Sequence, residues 1–317
     1  MGVMKHKKQV QKSLSFEKSQ KLTLGFMSPS LIIVSIIFLY PLIYALRTSF
    51  YRYNLVRPDR TAFIGFDNYV RAFTQDQRFL KSMSITVIYV LVSVVGVMVI
   101  GLIIAVLLNR KRYGKNVVKG GNYFRLAMIV PAVMAPAAAA GGLFRAAVFE
   151  YEYGLANYLC VLLGIGRQPW LFSPVHALAA LIILEVWLRM PYSILILDAA
   201  VRRLPQDQFE CATIDGASGF QKVVSLMLPA IRPQLLFTMV LQITLTFRQF
   251  DTAYLLTGGG PGDSTRVMTL YIYDEALNRL NFGYSQALSV IMLVLVGLFV
   301  FVSVKFLGKT EAVSWYK

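Results

Sequence analysis

Apolar residues gather into six long runs, at approximately Leu24–Leu46, Ile85–Leu108, Phe124–Phe149, Ala177–Ala199, Leu235–Leu256 and Ala287–Leu307. Each approaches or exceeds the roughly 20 mostly apolar residues that a helix needs to cross the hydrocarbon core of a bilayer. The pattern predicts an all-α membrane protein of about six transmembrane helices. The third run is the weakest span. Pro131, Pro136, the alanines at 137–140, Gly141 and Gly142 give it small residues and kinks. That composition favours close helix packing, with neighbours or water satisfying any freed backbone groups.

The positions of Lys and Arg set the expected orientation. Lys5, Lys7, Lys8, Lys12, Lys18 and Lys21 precede the first run, and Arg110, Lys111, Arg112, Lys115, Lys119 and Arg125 follow the second. Arg202, Arg203, Lys222 and Arg232 follow the fourth run, and Lys305 and Lys309 end the sixth. With six spans all four groups lie on one side, so both termini are expected to be cytoplasmic. One loop dissents, because Arg47, Arg52, Arg57, Arg60, Arg71 and Arg78 lie between the first two runs, on the expected outside. Asp59, Asp67 and Asp76 offset them only in part. The other external loop, Glu150–Pro174, is poor in basic residues and agrees with the rest.

Composition supports a membrane chain. Of its 317 residues, 56% are hydrophobic and only 15% charged, where soluble domains carry about a quarter charged residues. A net charge of +16 would suit nucleic acid, but much of the excess flanks apolar spans, which fits topology-setting and anionic lipid better. The expected partners therefore include membrane lipid and no nucleic acid. Cys160 and Cys211 fall on opposite sides in this topology and should not pair. The two histidines, His6 and His176, form no HExxH pattern, there is no CxxC, and no metal site is expected. Met1–Lys21 is a Lys-rich arm rather than a signal peptide, and the run after it is long enough to stay as a span. The expected organisation is a cytoplasmic arm over 1–23, a transmembrane domain over 24–309 with a loop at 202–233, and a cytoplasmic tail over 310–317.

The segment from Pro205 to Pro229 is the most informative. Pro205 suits the first turn of a short helix, with Asp207 and Glu210 towards its positive N-terminal end. Gly216 permits a sharp turn. A second amphipathic stretch then puts Phe220, Val223, Val224 and Met227 on one face, and Pro229 and Pro233 stop it. The expected result is a helix–turn–helix on the cytoplasmic surface, offering apolar and acidic groups to a partner.

That segment closely resembles the EAA loop of ABC-importer permeases in Glu210-Cys211-Ala212, Asp215-Gly216-Ala217 and Leu226-Met227-Leu228-Pro229. Cys211 replaces the usual second alanine, a small-for-small exchange. The likeness extends over nearly the whole chain and narrows to sugar-type, maltose-permease-like members. Phe250-Asp251-Thr252-Ala253-Tyr254-Leu255-Leu256-Thr257-Gly258-Gly259-Gly260-Pro261 with Thr265, Pro169-Trp170-Leu171, and Trp187 through Tyr192 carry it. The glycine-rich stretch lacks the Lys of a phosphate loop and reads as a tight turn at a span end. The resemblance implies the type I importer fold, with a coupling helix that enters a cleft on an ATPase. The ATPase-coupling residues would be Glu210, Cys211, Ala212, Asp215, Gly216, Ala217, Leu228 and Pro229. It also implies a second homologous permease, two ATPase subunits and an external solute-binding protein, and transport by alternating access. No nucleotide motif occurs, so no cofactor is expected in this chain, and ATP and Mg belong to the partner ATPase.

Polar groups at membrane depth are functional candidates because burial there is expensive. Gln242, Thr246 and Gln249 recur at i, i+4 and i+7, on one helical face. By similarity to the maltose permease, sugar contacts fall on Leu188, Arg189, Tyr192, Gln242, Leu245, Thr246 and Gln249. The bland alternative is that these groups only join helices. Arg189, with Arg248 nearby, departs from the maltose pattern. An acidic sugar such as a uronate oligosaccharide would explain it through a bidentate contact, and an internal pair with Glu185, four residues earlier, would explain it equally well. A secondary transporter driven by an ion gradient is the competing class. It calls for inverted repeats and a mid-membrane acid, whereas only Glu185 is placed for that. An intramembrane enzyme would need a His, Cys or Ser with a base partner, and none is suitably placed.

Overall fold

The computed structural model describes residues 26–109, 123, 126–135 and 138–308. The basic arm up to Lys21, Arg110–Lys119, Arg125, Pro136, Ala137 and the tail from 310 lie outside the described residues. Among the described residues, four helices are long and apolar enough to cross a membrane: α1, Phe26–Thr48, a second at Gln77–Leu108, a third at Pro174–Arg202 and a fourth starting at Phe282. A bent pair, Gly219–Ala230 and Arg232–Phe247, meets the same test jointly and makes a fifth if counted as one span.

In chain order, α1 is followed by a two-stranded antiparallel hairpin, β1 (Tyr51–Arg52) and β2 (Ala62–Phe63), with Tyr51 opposite Phe63. Next come α2 (Asp67–Thr74) and α3 (Gln77–Leu108), which Asp76 caps by accepting from the Phe79 amide. The third apolar run contributes α4 (Ile129–Val133) and α5 (Ala138–Val148), the latter wound as a π-helix. α6 (Leu155–Leu162), α7 (Pro174–Arg202) and α8 (Gln206–Ile214) follow. α9 (Gly219–Ala230) turns by 72° into α10 (Arg232–Phe247). Last come α11 (Asp251–Leu256), α12 (Met268–Tyr273) and α13 (Phe282–Gly308).

Two runs differ from the single spans that hydropathy suggests. In the third run the backbone turns extended at Met134, so α4 and α5 are separate pieces. Small residues still do the expected packing, since Ala139 and Ala140 are fully buried beside Phe144 and Phe149. The fifth run, Leu235–Leu256, breaks between Phe247 and Asp251. Its break is held by groups that hydropathy does not weigh, as Thr269 Oγ1 donates to the Gln249 carbonyl over 2.8 Å.

The core lies between α3, α7, α10 and α13, with α5 and α11 at one side. α3 and α7 approach so closely that a Cβ at Gly101 would lie 2.7 Å from Ser193 Cβ. In contrast, no residue of the most apolar stretch of α1 is buried within the chain. Only its C-terminal part, Tyr40–Thr48, packs against α13.

Candidate functional site

The polar residues of α7 and α10 meet in the middle of the bundle. Glu185 is fully buried, and its Oε1 accepts from Arg189 Nε at 3.0 Å one turn along. Arg189 reaches onward with a second nitrogen to Gln249 Oε1, in the break after α10. Gln242 Nε2 donates to the Arg189 carbonyl at 3.3 Å and to Ser193 Oγ at 3.2 Å. Tyr89 of α3 and Thr246 also face the Glu185 carboxylate. The internal pair foreseen between Glu185 and Arg189 therefore forms.

Four of the seven expected sugar-contact residues, Leu188, Gln242, Thr246 and Gln249, are buried within the chain. The Arg189 side chain keeps only 13% exposure, Leu245 is partly covered and Tyr192 is the most open. Thus Arg189, Gln242 and Gln249 are joined by hydrogen bonds between helices, as the bland alternative describes. The cluster nevertheless has polar capacity to spare. Gln242 Oε1, Gln249 Nε2 and Ser93 Oγ are buried without a hydrogen-bond partner, whereas Glu185 Oε2, Tyr89 Oη, Thr246 Oγ1 and Thr252 Oγ1, also short of an aligned bond, face one another. Buried polar atoms are nearly always paired, so such a concentration marks a place that water or a ligand can satisfy.

The loop after α7 is built differently. Pro205 caps α8 rather than entering its first turn. α8 closes with a Schellman motif, in which Gly216 takes φ +76° while Ala217 N–H donates to the Ala212 carbonyl and Gly216 N–H to that of Thr213. The left-handed position is the reason a glycine stands there. Ser218 and Gln221 then form a capping box for α9. Lys222, itself buried, ties the two helices by donating from Nζ to Thr213 Oγ1 at 2.7 Å.

One expectation here fails. Phe220, Val223, Val224 and Met227 do not share a face: Met227 is buried against Phe209, Val201 and Ile231 with Val223 beside it, whereas Phe220 and Val224 are exposed. Their i, i+3, i+4, i+7 spacing would put all four on one face of an α-helix, but Lys222–Met227 is wound as a π-helix, which shifts that register. The exposed set joins Ile214, 87% exposed, and Phe220, 77% exposed, to the open Glu210, Cys211, Asp215 and Gly216. Ala212, Ala217 and Leu228 are half-buried beneath them, and Pro229 is exposed. A rigid loop thus presents large apolar side chains ringed by acids.

Residues 78–310 match the family described as the binding-protein-dependent transport system inner membrane component. The chain belongs to that family. This permease is 31% identical over 269 residues to the sulfoquinovosyl glycerol transport system permease protein of Agrobacterium fabrum, covering 85% of this chain and 84% of that one. It is also 31% identical over 290 residues to the trehalose/maltose transport system permease protein of Thermococcus litoralis, covering 91% and 95%. Its fold superposes with a TM-score of 0.77 on a bacterial ABC transporter involved in the import of the acidic polysaccharide alginate, at 19% identity and covering 93% of this chain and 97% of that one. Membership places this permease in the inner membrane as the non-catalytic component, with the ATPase in a separate subunit. It also decides against the competing class of secondary transporter.

Away from the expected sites, the permease has two hubs that the sequence reading missed. Asp76 Oδ2 accepts from the hydroxyls of Tyr271 and Tyr284, each at 2.6 Å, and so ties α2–α3 to α12 and α13. Burial pushes the Asp76 carboxyl up, but those hydroxyls, the Phe79 amide and Arg71 outweigh it and hold it below the ordinary 3.8. In α6, before α7, Asn157 donates to the carbonyls of Tyr151 and Gln168 and accepts from the Gln168 amide and Trp170 Nε1. The only sequence signal for Asp76 is a helix N-cap; nothing local marks its tyrosines. The glycine-rich stretch is the expected turn, with Gly258, Gly259 and Gly262 at positive φ and Thr265 Oγ1 donating to the Gly260 carbonyl.

Proposed function

We propose that this permease carries a sugar or oligosaccharide inward, delivered by an external binding protein and driven by ATP hydrolysis in two partner ATPase subunits. A second, homologous permease completes the pathway, and both termini face the cytoplasm. The observation that carries the reading is the loop of α8 and α9. Its Schellman turn, capping box and Lys222–Thr213 tie make it rigid, while Ile214 and Phe220 stay uncovered. Exposed apolar anchors on a rigid support are what a cleft on another subunit grips, so closure of the ATPase would move α7 and α10 through this loop. Glu210, Cys211, Ala212, Asp215, Gly216, Ala217, Leu228 and Pro229 form or frame that contact. The test is co-purification. Glu210→Arg and Phe220→Asp should lose the ATPase subunit from an otherwise folded complex. Retention by both variants, or uptake driven by a proton or sodium gradient without an ATPase, overturns the reading.

Sugar as the cargo is supported by the relative named for trehalose and maltose and by spare hydrogen-bonding atoms at Gln242 and Gln249. Leu188, Arg189, Tyr192, Leu245 and Thr246 supply the remaining expected contacts. An acidic sugar, such as a uronate oligosaccharide, is supported by the neighbour involved in alginate import. Because Glu185 already matches the charge of Arg189, Arg189 would offer direction more than net charge. Uptake by Arg189→Ala separates the cases. A loss confined to acidic sugars supports the contact, and an equal loss for neutral and acidic sugars makes the arginine structural.

A further inference from the structure

The dissenting arginines between the first two apolar runs are not scattered. A cavity of about 660 Å³ opens between the β1–β2 hairpin, α2 and the start of α13, and Arg52, Arg57, Arg60 and Arg71 all line it. Asp67 is the one acid on its wall. None of the four guanidiniums makes a close ion pair or side-chain hydrogen bond among the described residues; Arg71 stacks over the Tyr284 ring at 4.3 Å and lends its charge to the nearby Asp76 carboxylate, which leaves Arg52, Arg57 and Arg60 uncommitted. The asparagine amides on the wall are already committed, which leaves Gln75 as the one open amide there. Asn68 donates to the carbonyls of Ser49 and Tyr51, and Asn54 donates to Asn281 and accepts from Val56 N–H. What the cavity offers a ligand is therefore cationic donors in forked geometry, which match a phosphate or carboxylate.

Its depth narrows the source. The cavity sits at the end of the bundle away from the α8–α9 loop, where α1 ends and α3 and α13 begin. Tyr284 on its wall is in the first turn of the membrane-crossing helix that starts at Phe282, and so lies at the very end of that span. The headgroup layer is roughly 5–8 Å thick on each side of the hydrocarbon core. Val56 and Val70 on its wall are each more than half exposed, as are Phe63 and Phe66, the chain neighbours of the wall residues Ile64 and Asp67. A basic cavity at headgroup depth beside bare apolar side chains suits a molecule with an anionic head and hydrocarbon tails.

We propose that this arginine-lined cavity binds the headgroup of an anionic phospholipid, with the acyl chains against Phe63, Phe66 and Val70. The reading is independent of the cargo and of the coupling loop. Removing Arg57 and Arg60 removes two of the four cations without disturbing a side-chain contact.

The test is lipid titration of the complete transporter, this permease with its partner subunits, followed by native mass spectrometry. Phosphatidylglycerol is compared with phosphatidylcholine of the same chains. The wild-type complex should bind phosphatidylglycerol at least tenfold more tightly, and Arg57→Gln/Arg60→Gln should abolish the preference. Arg203→Gln, an exposed arginine at the other end, should leave it intact. If the double variant does not assemble, Arg60→Gln alone should weaken the preference severalfold. No preference in the wild type, or an equal loss in Arg203→Gln, overturns the proposal. So does displacement of the lipid by a galacturonate trisaccharide, which would make the cavity a substrate subsite. So, too, does unchanged lipid binding with weakened affinity for the binding protein, which would assign the arginines to an acidic protein surface.

Discussion

Two carboxylates, Asp76 and Glu185, organise this permease, and they are treated in opposite ways. At Asp76 the acceptors are taken: two tyrosine hydroxyls share Oδ2, and the Phe79 amide takes Oδ1. At Glu185 one oxygen takes Arg189 while the other, along with polar atoms of Gln242, Thr246 and Gln249, lacks an aligned partner. The first arrangement locks the end of the bundle where α2, α3, α12 and α13 meet. The second leaves buried polar capacity open in the middle, between helices that the proposed mechanism has to move. A fully satisfied network rigidifies, whereas a partly satisfied one is costly unless something completes it.

The largest expected effect breaks the comparison at its centre. Glu185→Ala leaves Arg189 buried without its counter-ion and should cost about 3–5 kcal/mol, read as a fall in melting temperature of the purified complex. Glu185→Gln should cost less, because a hydrogen bond remains available to Arg189. Asp76→Ala removes an N-cap and strands two hydroxyls, for about 2–3 kcal/mol. If the two alanine variants melt alike, the contrast between lock and open cluster is wrong.

A smaller effect sharpens the contrast. Tyr271→Phe removes one hydrogen bond to a charged acceptor and should cost about 1.5 kcal/mol. The same hub predicts a pH dependence. Because the folded carboxyl of Asp76 lies below 3.8, its contribution is complete above that ordinary value and is lost as pH falls through the lower folded one. Melting curves taken downward from pH 5 should show a steeper loss for the wild type than for Asp76→Asn, which has no carboxyl to titrate. Smallest of all is the stability change at the α8–α9 loop. Phe220→Ser should stay within about 0.5 kcal/mol of wild type because the ring is exposed, and its effect should fall on ATPase association instead.

Much of this was legible in the chain. The six apolar runs locate α1, α3, α7 and α13, since a bilayer demands length and apolarity and both are local properties. Gly216 forecasts the turn after α8 because a left-handed residue is a backbone requirement that glycine meets directly. The i+4 spacing of Glu185 and Arg189 offered their pair as one of two equal readings, and the pair forms. Less legible were the break at 248–250 and the division of the α9 face, where Val223 and Met227 turn inward and Phe220 and Val224 outward. Apolar residues at successive positions read alike until the packing partner is known.

The sequence by itself thus determined that the chain spans a membrane, where its main helices run and where the turn after α8 falls, because periodicity, length and turn chemistry act over a few residues. Only the tertiary structure decided which polar groups meet. Tyr271 and Tyr284 are about two hundred positions from Asp76, and Arg71 reaches Tyr284 across a similar distance to wall an arginine-lined cavity. Such contacts depend on how helices dock side by side, and no local pattern encodes that.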